Sequence, residues 1–265
     1  MPAPTLDRTA AACFGFGEDP VALIDAVLPK VERLSLAGDD EVLAWTDPAS
    51  GARLMLGAHG ADVRWLWPTL WAPTGTRLGG LTVLADDVVA AAVIGADGAP
   101  TARLVLRLEQ GRTLTPEACG RTWPASVIGT GPVRVFAGAD AFVADPISIV
   151  GDPASYPAQA PDHFRERGWA WPPRLSEESL EPAAGALPMA RMTGTVLRAE
   201  TRRNDLTGCQ FRLIRVRTIG LELDLCLSHE HAPTPVGAVV AGTVNLSGRL
   251  GTEPGDPRRR WVPRT

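Results

Sequence analysis

Cys226, His229 and His231 lie close together in the stretch CLSHEH, and a thiolate with two imidazoles is a donor set of the kind that holds zinc. A metal-dependent enzyme built on them would need full ligand spacing. Neither a His-Glu-x-x-His motif nor a paired Cys-x-x-Cys accompanies the trio, and SHEHAPTP reads equally well as a polar loop rim. His59 and His163 stand alone in polar surroundings and are expected at the surface.

Lysine chemistry is confined to Lys30, in the context LPKVE, which matches no phosphate-binding loop, Schiff-base site or Ser-x-x-Lys hydrolase. Gly129-Thr130-Gly131 hints at a dinucleotide turn. Arg134 stands where a third glycine belongs and Pro132 bars a following helix, so a β-turn is the simpler reading. No Gly-x-Ser-x-Gly elbow occurs. The residues give no catalytic group and call for no cofactor, so the expectation is a non-catalytic protein.

Binding chemistry is better represented. Arg198, Arg202, Arg203, Arg212, Arg215 and Arg217 crowd one region, and Arg258–Arg260 follow near the C-terminus. Single-stranded nucleic acid is usually held by such a cationic groove together with aromatic rings on which bases stack. Only Phe211 and Trp261 are at hand for stacking, so a solvated arginine face is the plainer account of most of these residues. Trp65, Trp67 and Trp71 could form a platform for a partner or a sugar. With Leu66 and Leu70 beside them, they also suit core packing.

The elements that must carry these groups are clearest from Met189 to Leu250. Leu221, Leu223, Leu225 and Leu227 alternate with Glu222, Asp224, Cys226 and Ser228, which predicts a strand with a leucine inner face and an acidic outer one. Val240, Val244, Leu246 and Leu250 repeat that alternation, with Gly242 and Gly248 where a backbone must coil or be approached. Turn residues at Asn204–Gly208 and at Ile219-Gly220 join the strands closely. The pattern resembles OB-type barrels over this stretch, with an SH3-like barrel or an open sheet fitting the same strands. An OB-fold has five strands. Only four are distinct here, so a bend in Ala238–Leu250 or the segment Arg258–Val262 would have to supply the fifth.

Upstream, Asp19-Pro20 caps a helix expected from Pro20 to about Glu32. Strands follow at Glu41–Thr46, Ala52–Gly57, Ala61–Trp71, Leu81–Leu84, Val88–Ile94, Ala102–Leu108 and Val133–Phe136, with a helical turn at Asp140–Ala144. Residues 1–150 therefore read as an α+β domain, mostly antiparallel sheet with one clear helix. Residues 151–188 hold seven prolines and read as a strap or linker that packs partly on a neighbour. Residues 189–252 form the small all-β, OB-like barrel, and 253–265 a basic extended tail. No internal repeat is visible.

Composition agrees with a folded, two-domain chain: 265 residues, 45% hydrophobic and 21% charged. Apolar runs are too short for a membrane span, and the start MPAPTLDRTAAACFGFGEDP lacks the make-up of a secretory signal. Cys13, Cys119, Cys209 and Cys226 are scattered, which fits reduced thiols in a cytoplasm. The charge is divided, acidic before Pro188 and basic after it, so the two parts could dock on each other or the barrel could meet an anionic partner. The leading expectation is a cytoplasmic binding or scaffold protein whose barrel meets another protein or its own copy. Single-stranded nucleic acid is the alternative, a metal-dependent enzyme the third reading, and no membrane partner is expected.

Overall fold

The computed structural model describes residues 6–37, 40–60, 62–73, 75–150, 156–168, 171–183 and 185–251. Trp169, Arg258–Arg260, Trp261 and the candidate strand Arg258–Val262 lie outside them. Two sheets carry the structure, one four-stranded and one ten-stranded. Among the described residues no helix is long and apolar enough to cross a membrane.

The chain opens with α1 (Arg8–Ala12), whose cap is Asp7 accepting from the Ala10 amide at 3.0 Å. In α2 (Pro20–Val27) Asp19 caps the first turn as expected. The helix ends sooner than the sequence pattern implied. Pro29 cannot donate to the turn before it, so a 3-10 turn at Leu28–Lys30 replaces the last turn of α-helix. Glu32 already belongs to the first sheet, which is antiparallel in chain order: β1 (Glu32–Ala37), β2 (Asp40–Thr46), β3 (Ala52–His59) and β4 (Asp62–Leu70). Pro68 is tolerated because β4 is an edge strand.

The larger sheet draws on the chain from Thr76 to Leu250. Its strands are β5 (Thr76–Ala85), β6 (Val88–Ile94), β7 (Pro100–Leu108), β8 (Trp123–Thr130), β9 (Val133–Phe136), β10 (Ser179–Pro182), β11 (Met189–Arg203), β12 (Gln210–Thr218), β13 (Leu221–Ser228) and β14 (Val239–Leu250). Short helices α3 (Pro116–Cys119), α4 (Ala139–Ala144) and α5 (Ala160–Glu166) lie between them. In the proline-rich stretch, β10 pairs with the start of β11, and the Leu175 amide donates to the Ser148 carbonyl at 2.6 Å.

The pairings close into two rings. In the first, the antiparallel meander β5–β6–β7 steps to β14 in parallel, β14 pairs antiparallel with β8, and β8 returns antiparallel to β5. In the second, the meander β11–β12–β13 steps to β8 in parallel, β8 pairs antiparallel with β14, and β14 returns antiparallel to β11. Each ring thus takes its own fourth strand and the other ring's fourth strand. In the second ring the strand beyond the four legible in the sequence is β8, from about sixty residues before Met189, and β14 runs unbroken from Val239 to Leu250. One sheet therefore joins residues 1–150 to residues 189–252.

Parity places the cores. Leu221, Leu223, Leu225 and Leu227 enter a single buried cluster with Val127 of β8, Leu106 of β7 and Val244 of β14. Gly248 is small because a Cβ there would lie 2.8 Å from the Ser126 carbonyl oxygen, and at Gly242 it would lie 2.5 Å from that of Pro132. The opposite side of β13 departs from expectation. Asp224 and Cys226 are buried rather than facing water: a second layer covers Cys226, which shares a cluster with Phe14, Leu66, Phe211, Leu213 and Ile128, and Asp224 lies against Arg215 at 3.3 Å.

Candidate functional site

Metal-ligating geometry is absent from the trio in CLSHEH. Cys226 points into the buried seam beside Cys13, while His229 is exposed in the loop beyond the strand. Period-two alternation separates them: residue 226 faces the second layer, and the chain leaves the strand at Ser228 before the histidines. Among the described residues no group of three His, Cys, Asp or Glu could hold a metal ion. Burial pushes the Cys226 thiol well above its ordinary range, and it pushes Cys13 up to about 11 against the pull of the Gly131 and Ser228 amides. Both are held as thiols, the unreactive form at neutral pH.

The arginine face is largely neutralised. Arg215 pairs with Asp224 at 3.3 Å and Glu222 at 3.6 Å, Arg217 with Glu222 at 3.3 Å, and Arg202 with Glu200 at 2.5 Å. Arg212 lies on the other parity and donates to the His231 carbonyl at 2.8 Å. Only Arg198 and Arg203 of the six are exposed without an ion pair among the described residues. Phe211 is fully buried, so it offers no stacking surface.

The three tryptophans come together with a different set of arginines. Trp65, Trp67 and Trp71 project from β4 and its end toward the first ring. The Arg112 guanidinium lies 5.2 Å from the Trp65 ring centre and that of Arg107 4.9 Å from Trp67. Arg53 and Arg249 stand 5.0 and 3.6 Å from Trp71. Such contacts contribute about 0.5–2 kcal/mol each, more where water is excluded. Gly57 makes the row possible: Trp65 lies directly over it, and a Cβ there would overlap the indole. The alternation Trp65/Trp67 was legible in the sequence. The arginines against them were not, since they come from four other elements.

Beside Trp71 lies a buried ion cluster that sequence reasoning missed altogether. Arg53 of β3 and Glu109, just past β7, are each nearly inaccessible, with Nε and Oε2 3.3 Å apart as an ion pair that lacks hydrogen-bond alignment. Arg53 also donates to Thr46 and reaches Glu32 at 3.2 Å. Burial raises the Glu109 carboxyl above its usual range, although Arg53 and Arg249 draw it down. Glu109 Oε1, Arg249 Nε and Ser126 Oγ are buried with no hydrogen-bond partner.

Those groups end a polar strip on the outer side of the shared pair β8 and β14. Ser126 faces Arg249, and Ile128 faces Ser247, with Thr130 and Asn245 beyond them. The inner side of the same strands is hydrocarbon throughout. Over the strip, β4 encloses a cleft of about 300 Å³ lined by Trp65, Trp67, Arg107, Thr130, Asn245 and Ser247.

A contrast between the rings completes the geometry. Phe211, Leu213 and Cys226 on the outer side of β12 and β13 are sealed under the N-terminal helices. The corresponding side of β6 and β7 carries Ala90, Ala92, Ile94 and Val105, which are half-buried and enter none of the buried clusters. Val83 and Leu84 stand out at the β5–β6 hairpin, 45% and 42% exposed. In comparisons with known proteins, no family model, no curated protein and no solved structure matches this chain.

Proposed function

We propose that the protein is a non-catalytic binding or scaffold protein, built from two fused OB-like barrels, that docks a partner protein on the outer side of β6 and β7. The likeness to OB-folds rests on the pairing order: each ring is a three-strand meander closed by two further strands, five in all. The step from such a barrel to a role is analogy, and one observation supports it here. The outer side of β12 and β13 already binds polypeptide, with Phe14 edge-on to Phe211 at 6.5 Å and Asn204 donating to the Phe14 carbonyl at 3.0 Å. The matching side of β6 and β7 carries Ala90, Ala92, Ile94 and Val105 together with Arg103 and Arg107, and its four apolar residues have no such hydrocarbon cover. A half-buried apolar face of this kind can bury further hydrocarbon against a partner, with Val83 and Leu84 exposed at its hairpin end.

A photo-crosslinking residue at position 92 tests this in the native host, with one at the exposed position 97 as control. The expected result is a discrete adduct from position 92 and none from position 97. An adduct with a second copy of the chain would identify self-association. No adduct from position 92 removes the proposal.

A further inference from the structure

The open side of β6 and β7 carries charge as well as hydrocarbon, and that charge is not balanced within the chain. Thr76–Leu108, the meander of the first ring, holds three arginines and three carboxylates. Arg107 is held by Asp87 at 2.6 Å, and Asp86 by Arg112 at 3.0 Å. Asp97 lies in the β6–β7 turn, where its Oδ1 accepts from the Ala99 amide at 3.0 Å. That leaves Arg77 and Arg103, both exposed and without an ion pair or side-chain hydrogen bond among the described residues.

Strand register places both on the side proposed for docking. Leu78 and Leu104 enter the core, so Arg77 and Arg103 face outward beside them. Ala92 pairs with Arg103, and Val93 with Leu78, which sets Arg77 level with Ile94. The arginines thus bracket Ala92 and Ile94 from the two neighbouring strands. Strand spacing and rise put their Cα atoms roughly 12 Å apart. Two cations at that separation, with hydrocarbon between them, fit a chain laid across the strands better than one small anion. The meander has no aromatic residue, so nucleic-acid bases would find no stacking surface on it.

We infer that the segment docked there is acidic and amphipathic, with apolar side chains on Ala90, Ala92 and Val105 and carboxylates at Arg77 and Arg103. The inference rests on the docking reading above and adds the chemistry of the occupant. The cover of the second ring has the same form: Phe14 and Phe16 are buried in the seam, and Glu18 and Asp19 follow at the surface. Alanines leave room for large side chains to reach the sheet. Unpaired guanidiniums bordering an apolar floor disfavour a basic segment, because like charges would be brought together as the hydrocarbon is buried.

The experiment adds charge reversal to the crosslinker at position 92 of the full chain in its native host. Arg77→Glu with Arg103→Glu should lower the yield of the polypeptide adduct at least about tenfold, while Arg77→Lys with Arg103→Lys should keep it. Both arginines are exposed, so the three proteins should unfold at the same urea concentration. Wild-type yield should also fall when salt is raised to about 0.5 M, a readout that needs no variant. Mass spectrometry of the adduct should find Asp or Glu on both sides of the crosslinked residue. A polypeptide adduct that survives charge reversal or high salt overturns the inference and leaves the docking side standing. So does one that joins a segment without carboxylates, or a second copy of the chain. No adduct from the wild type, or one that nuclease destroys, removes both readings.

Discussion

The two rings have the same pairing order and share two strands, yet the chain treats their outer sides in opposite ways. On the second ring, Phe211, Leu213 and Cys226 are sealed by hydrocarbon from α1 and the four-stranded sheet. On the first, the same sheet arrives through tryptophans laid against Arg107, Arg112 and Arg249, and much of β6 and β7 stays open. Identical pairing orders therefore do not dictate what a sheet face does. The residues at alternate positions decide it: one face is rich in alanine and stays partly open, the other is rich in phenylalanine and leucine and is sealed.

The sharpest way to break that comparison is to cut matching positions. Phe211→Ala removes a fully buried ring from the sealed seam, and we expect a loss of about 3–5 kcal/mol in urea unfolding. Val105→Ala, on the open side of β7, should cost less than about 1 kcal/mol. Equal losses would mean that the first ring is as covered as the second.

A second probe uses the thiols. Cys13 and Cys226 lie under the sealed face, Cys119 beside the first ring, and Cys209 is exposed. A thiol reagent at neutral pH should modify Cys209 quickly and Cys119 more slowly, and reach the other two only on unfolding. The Cys13 value rises from 9.0 unfolded to about 11 folded. A raised value means that its contribution is whole below pH 9 and is lost as pH rises through about 11. Stability should thus fall by up to about 3 kcal/mol over that window. Cys13→Ser should flatten much of the decline, and an unchanged pH profile would place Cys13 in contact with water.

How much of this was legible in the sequence follows from where signals are local. Leu221–Leu227 alternates so cleanly that β13 and its inner side could be read directly, and the Asn204–Gly208 turn marks its own position. Asp19-Pro20 did the same for α2, though Pro29 shortened it. β8 was passed over because WPASVIGT is buried on both sides and shows no alternation. Its parallel step to β13 leaves no turn between the two strands to announce it. The acidic outer side of β13 was assigned to water for a related reason. Parity says that Asp224 and Cys226 point away from the leucines, but it cannot say that another layer waits there. The repeated ring order was equally invisible, being a property of pairings rather than of residue types. In the site, the tryptophan row was visible and its arginines were not, since Arg107, Arg112 and Arg249 become neighbours only through the fold. The Cys226, His229 and His231 trio is split because Cys226 is buried within β13 and the histidines lie beyond its end.

The smallest effect we expect concerns nucleic acid, and it bears on the second ring alone. Six arginines in β11 and β12 suggest a cationic track, but Glu200, Glu222 and Asp224 lie against three of them and Arg212 is spent on a carbonyl. Arg198 and Arg203 remain, both exposed. Two phosphate contacts would give a salt slope of only about −1.4 for a single strand, and no aromatic ring on these strands is free to stack a base. A labelled oligonucleotide should therefore be retained weakly at low salt and not at all near physiological salt. Arg198→Ala with Arg203→Ala should remove what retention there is. Replacing Arg215 and Arg217 instead should leave retention unchanged while lowering stability slightly, because those two are occupied with carboxylates. If the second pair proved decisive, the carboxylates would have to give way to phosphate on binding, and the second ring would be a nucleic-acid surface after all.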